Sequence, residues 1–223
     1  MPDDKRFAQL VSLACHDLRT PLATVFGFAR TLARTDLEPP TDRYVEMIDA
    51  ASMQLGELLD ELSLLARIQS GRYEPRLVAV DSLELAREAA AELEDGRAEV
   101  SGKGGMVRVP EEEMRRALSQ LARAASRHGG FDSVAVEVEG GTLTVSPVTR
   151  ASGPVLLGEE LRDLGAAAAT ELVRALGGSV DVVDERLLSA VLHSHGLLDA
   201  SDARARETNA YLRSRGLEVG RGR

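Results

Sequence analysis

From Phe7 onward the apolar residues fall at Phe7, Val11, Ala14, Leu18, Pro21, Val25, Phe28 and Leu32, alternating steps of four and three without a slip. This is the period of a helix that turns one seam toward a partner. A second series of the same period runs through Tyr44, Ile48, Ala51, Leu55, Leu58, Leu62 and Leu65. Between the two stands Thr35-Asp36-Leu37-Glu38-Pro39-Pro40, whose prolines cannot continue a helix. The pattern predicts an antiparallel helical hairpin. Leu10, Leu22, Met47, Leu59 and Leu64 widen both stripes beyond what a two-stranded coil needs. A lone hairpin cannot cover them, whereas two hairpins paired as a dimeric four-helix bundle can.

After Gly71-Arg72-Tyr73-Glu74-Pro75 the period changes, so residues 1–74 form one unit and a second begins near 77. Leu77 to Val80 suits a short strand, and Ser82 to Leu93 suits a helix capped by Asp81 or Ser82. A strand near Glu99 and Val100, a glycine turn at Gly102 to Gly105 and a strand at Met106 to Val109 are expected next. A helix then opens at Pro110 with three glutamates in its first turn. Val134 to Val138 and Thr142 to Val145 flank Glu139-Gly140-Gly141, a hairpin signal. A last helix over Gly158 to Leu176, closed by Gly177-Gly178, leads into a strand from Ser179 to Val183. The second unit is expected over 77–192. A tail over 193–223 is expected to hold a helix from Asp202 to Arg213, with His193 and His195 as loop residues. The fold class is therefore α+β.

Composition narrows the function. Of 223 residues, 36 are acidic against 27 Lys plus Arg, which gives a net charge of −9. Aromatics supply 3% and there is no Trp, so neither phosphate-backbone binding nor base stacking is favoured, and no nucleic-acid partner is expected. No apolar stretch reaches the roughly 18 uncharged residues of a membrane span, and a cytoplasmic location is expected. The single cysteine, Cys15, excludes an internal disulfide and a Cys-based zinc cluster.

With Ala14 at position d of the first seam, His16 occupies f, the point farthest from the core. A lone exposed histidine is ordinarily just solvated, but its neighbours here matter. Asp17 follows directly, Thr20 lies one turn on, and Pro21 removes a backbone donor at that point. A carboxylate beside an exposed imidazole can keep one ring nitrogen protonated and leave the other as a nucleophile, which is what a phosphoryl acceptor requires.

The stretch His16-Asp17-Leu18-Arg19-Thr20-Pro21-Leu22 resembles the H-box of the sensor histidine kinases of two-component signalling, in its HisKA form. In that family the H-box sits on the first helix of a dimeric hairpin. Its second helix often ends in a leucine-rich stretch like Leu62 to Gly71. The resemblance implies that His16 carries the phosphoryl group and that the Asp17 position assists transfer. It implies that Arg19 contacts the phosphoryl group or the receiver, and that Thr20 orients water during dephosphorylation. It also implies a response-regulator receiver domain as partner, recognised near Leu13, Thr24, Val25, Gly27 and Phe28.

The second unit resembles the Bergerat-type ATPase domain of the same kinases, an α/β sandwich, in degenerate form. Where the family has its first asparagine this chain has Gln120, and where it has the magnesium-holding asparagine it has Ala124, whose methyl group cannot ligate a cation that takes oxygen. The adenine-recognising aspartate falls near Pro147. The lid is missing, and only Gly165 remains of the phosphate-cradling glycines. The expectation is a histidine phosphotransferase that has lost ATP binding, with no cofactor of its own and with Mg²⁺ brought by the receiver. An ATP-dependent sensor histidine kinase is one alternative, which nucleotide binding would reveal. A non-catalytic dimeric receiver adaptor or phosphatase is another, which would work without His16.

Overall fold

The computed structural model describes residues 2–35, 37–93, 97–183 and 186–190. The helix expected over Asp202 to Arg213, together with His193 and His195, lies outside them.

Helices α1 (Pro2–Leu32) and α2 (Thr41–Gln69) form the expected hairpin. The line along which they pack differs from the one marked by the large side chains. On α1 the buried residues are Ala8, Cys15 and Ala29, and on α2 they are Val45, Ser52 and Ala66. Each lies one residue beyond a member of the sequence-derived series: Phe7, Ala14, Phe28, Tyr44, Ala51 and Leu65. One residue is about 100° around a helix. Small side chains let the two axes approach closely, and the large ones are displaced sideways to solvent, with Phe28 at 68% exposure.

The second unit begins with β1 (Val78–Asp81) and α3 (Ser82–Ala91). Asp81 caps α3, accepting hydrogen bonds from the Leu83 and Glu84 backbone N–H groups at 2.9 and 3.1 Å. Then come β2 (Ala98–Gly104), β3 (Met106–Val109) and α4 (Glu111–Gly129). β4 (Val134–Gly140) and β5 (Thr142–Ser146) make the expected hairpin, followed by α5 (Gly153–Leu156), α6 (Leu164–Ala175), β6 (Ser179–Val183) and β7 (Arg186–Ala190).

β1 and β3 pair antiparallel in a small sheet. The main sheet has the order β2-β4-β5-β7-β6, parallel only between β2 and β4. Val134, Val136 and Val138 alternate with exposed Ala135, Glu137 and Glu139, so one face of the sheet is apolar. Helices α3, α4 and α6 cover it around Leu85, Met114, Leu121, Leu143 and Leu172. The α+β class is as the sequence predicts, and the main sheet is mixed with its helices on one face.

Three details depart from the sequence expectation. β2 runs through the expected glycine turn, because Gly102, at φ 108°, lies directly against the Val138 backbone of its parallel neighbour, where a side chain would clash. The last helix begins at Leu164 rather than Gly158. Gly158 takes a left-handed φ of 70° after the short α5, and Asp163 caps α6 by accepting from the Ala166 N–H at 3.1 Å. Strand β7, inserted between β5 and β6, has no period-2 alternation to announce it. Within α6, Ala166 to Ala169 are buried, and the helix lies against both α4 and α2.

Candidate functional site

Cys15 faces α2 with 1% exposure and fixes the rotation of α1, which turns His16 into solvent with 80% of its side chain accessible. His16 thus lies about 100° from the buried line, not opposite to it as the heptad count suggests. Its Nδ1 is 3.2 Å from Asp17 Oδ1, so in the tautomer that donates this hydrogen bond Nε2 is the free nitrogen. Burial pushes the Cys15 thiol up from its ordinary range, so the neighbouring sulfur does not compete as a nucleophile.

Thr20 is exposed on the next turn, on the His16 side. Pro21 has no N–H for the Asp17 carbonyl, so the helix ladder is interrupted at the residue beside the histidine.

Arg19 does not point to His16. It crosses the hairpin to Asp60, Nη2 to Oδ1 at 2.7 Å, while the other carboxylate oxygen of Asp60 lies 3.3 Å from Arg116 Nη1 on α4. His16, Asp17 and Thr20 are therefore gathered on one surface, and Arg19 is tied through Asp60 to the second unit. Sequence reading missed Asp60. In an antiparallel hairpin turning near residue 37, the H-box must oppose the late part of α2, and a carboxylate interrupting the apolar run there was the available signal.

One residue on, Glu61 accepts a hydrogen bond from Gln120 Nε2 at 2.7 Å. A Cβ added at Gly165 would stand 2.7 Å from Gln120 Oε1 and 3.0 Å from Glu61 Oε1, so α2 closes directly over the start of α6. Burial pushes the Glu61 carboxyl up to about 7; Asp163 and Glu57 add to the rise, and Arg123 and Arg127 oppose it. Asp163, nearly buried, caps α6 with one oxygen and takes His128 Nε2 at 2.9 Å and Arg127 Nη1 at 3.3 Å with the other. Ala124 is buried within the core cluster. Pro147 is elsewhere, in an open groove with Glu99, Ser133, Ser146 and Arg186. Gln120 and Gly165 thus lie together against Glu61, whereas Pro147 lines a separate groove.

Among the described residues no His, Cys, Asp and Glu cluster is arranged to hold a metal, and no helix is long and apolar enough to cross a membrane.

Residues 8–71 match the His Kinase A (phospho-acceptor) domain. The sensor histidine kinase TrcS of Mycobacterium tuberculosis is 37% identical over 70 residues, which is 30% of this chain and 14% of that protein. Probable histidine kinase 3 of Oryza sativa subsp. japonica is 32% identical over 74 residues, 33% of this chain and 7% of that protein. The chain therefore spans a small part of these relatives. In fold it is similar to full-length ShkA, solved in complex with AMPPNP, with a TM-score of 0.63 and 22% identity over 83% of this chain and 47% of that one. It is also similar to the Acinetobacter baumannii histidine kinase AdeS, with a TM-score of 0.51 and 14% identity over 78% and 94% of the two chains. Residues 8–71 are thus similar in sequence to a histidine-kinase-type phospho-acceptor domain, and the chain as a whole is similar in fold to histidine kinases.

Proposed function

Proceeding from a two-component phospho-acceptor domain at residues 8–71, we propose that this chain carries phosphoryl groups on His16 to or from the aspartate of a response-regulator receiver domain, as a homodimer and without ATP. The observation that carries the reading is the exposed imidazole, with Nδ1 toward Asp17 and Nε2 free.

When the receiver donates, the Nε2 lone pair attacks phosphorus in line. The bond between phosphorus and the aspartyl oxygen breaks, the receiver carboxylate leaves, and Nε2–P forms. Asp17 keeps the proton on Nδ1 and stabilises the positive charge that develops on the ring. Positioning supplies most of the rate, and the receiver brings the Mg²⁺ that neutralises the phosphoryl oxygens.

Two observations support loss of nucleotide use. Ala124 offers no oxygen and faces the core. Asp163 caps the N-terminus of α6 and the Glu61–Gln120 pair lies against Gly165, so carboxyl groups stand where phosphates would need donors.

The test is incubation of the whole chain with Mg²⁺ and γ-labelled ATP beside a working histidine kinase, and separately with a phosphorylated receiver. The expected result is acid-labile label on His16 from the receiver only, abolished in His16→Gln. Label taken from ATP would restore a kinase. Normal receiver regulation by His16→Ala would favour an adaptor or a phosphatase acting through Thr20.

A further inference from the structure

Asp60 stands between two guanidinium groups that come from different units. Arg19, three residues beyond His16 and on the same face of α1, holds Oδ1 at 2.7 Å, and Arg116 of α4 approaches Oδ2 at 3.3 Å. Arg116 is itself steered by Glu112, Nη2 to Oε1 at 3.2 Å. All three of these side chains are about half exposed, so competition for partners, rather than burial, sets how strongly each contact holds.

We propose that Asp60 is a positioning residue for phosphoryl transfer at His16: it restrains Arg19 through one oxygen while Arg116 draws on the other, so docking of the second unit sets how far Arg19 is available to a phosphoryl group on His16. The proposal rests on His16 being the phosphoryl carrier.

The physical basis is a contest between anions for one guanidinium. A dianionic phosphoryl group on Nε2 outweighs the single charge of Asp60, and Arg116 reduces that charge further. Removing Asp60 therefore frees Arg19 toward the phosphoryl group. Removing Arg116 returns all of Asp60 to Arg19 and withholds it. The two losses act with opposite sign, and since removal of either charge also acts on the phosphoryl group through space in that direction, it is the dependence of both effects on Arg19 that marks a positioning role.

The experiment loads the whole chain with potassium phosphoramidate. The donor's P–N bond breaks, ammonia leaves and Nε2–P forms on His16. The second ionisation of the resulting phosphohistidine is then followed by ³¹P NMR as a function of pH. A nearby guanidinium favours the dianion, so Asp60→Asn is expected to lower the proton affinity of the phosphoryl group about twofold, and Arg116→Gln to raise it about 1.5-fold. Arg19→Gln should abolish both effects, so that Arg19→Gln/Asp60→Asn titrates like Arg19→Gln.

Shifts of the same sign in Asp60→Asn and Arg116→Gln, or shifts that persist without Arg19, overturn the proposal. Should Asp60→Asn fail to fold, Arg116→Gln on the surface of α4, compared in the presence and absence of Arg19→Gln, carries the test, and an unmoved midpoint or a shift that persists without Arg19 overturns it. Equal loading of His16→Gln overturns the carrier reading itself, and is distinguished by the absence of any signal from His16.

Discussion

Along α1 and α2 the buried residues are Ala8, Cys15, Ala29, Val45, Ser52 and Ala66, while Phe7, Phe28, Tyr44 and Leu55 are exposed. In the second unit the order is reversed, with Met114, Leu121, Leu143, Leu156 and Leu172 among its most fully buried side chains. Burial of apolar area is the main stabilising term, so the second unit holds itself together while the hairpin leaves its largest apolar side chains in solvent. The hairpin also carries the exposed chemistry at His16, whereas the titratable groups near the α2 contact are paired inward. A well-buried core in the second unit thus stands against a helix pair that buries mainly small side chains.

Deleting a fully buried side chain of the second unit sharpens this contrast most. Leu172→Ala should cost about 2–5 kcal/mol in denaturant unfolding, independent of protein concentration. A cost under 1 kcal/mol would show that the second unit is as loosely packed as the hairpin.

Next in size is Ala124→Asn, which places an amide in the core beside Leu121 and Ala125. It should destabilise the second unit by about 1–3 kcal/mol and create no Mg²⁺-nucleotide binding by calorimetry. Nucleotide binding by this variant would mean that the site lacks only one ligand.

On the hairpin, Phe28→Glu should leave unfolding of the second unit within about 0.5 kcal/mol, since the side chain is already in water. It should weaken the proposed dimer at least tenfold in sedimentation equilibrium, about 1.4 kcal/mol. An unaltered dimer would place the interface elsewhere.

The smallest effect concerns Glu61, where the two units meet. Its carboxyl is raised to about 7 in the folded chain from 4.5, so the native state binds the proton more tightly than the unfolded state does. The contribution to stability is complete below about 4.5 and is lost as pH rises through about 7. The charged groups facing Glu61 are Glu57 on α2, Arg123 and Arg127 on α4, and Asp163 before α6. Glu61→Gln should flatten the pH dependence of thermal unfolding between 4.5 and 7. An unchanged slope would assign that dependence to other groups.

Much of this molecule was legible from neighbours along the chain. The helical hairpin, the strands at Met106 to Val109 and Ser179 to Val183, the β4–β5 turn and the Asp81 cap all follow from local period and turn chemistry. So did the grouping of His16, Asp17 and Thr20, since residues one to four apart on a helix share a face. The rotation of α1 was misjudged because size alone does not say which stripe packs: Ala8, Cys15 and Ala29 win the hairpin contact by letting the helices approach. β7 was missed because Arg186 to Ala190 has no period-2 alternation of its own, and its place in the sheet comes from pairing with the adjacent β6 and with β5, which lies far back in the sequence.

By itself the sequence determined the elements and the chemistry of the H-box, because helical period, capping and the histidine–carboxylate pair depend on residues within a turn or two of one another. Only the tertiary structure decided what Arg19, Asp60, Glu61 and Gln120 do. Arg19 and Asp60 are 41 positions apart and Asp60 and Arg116 are 56 apart. Charges at such separations meet only after the hairpin has closed and α2 has docked on α4 and α6, so no local pattern records their pairing.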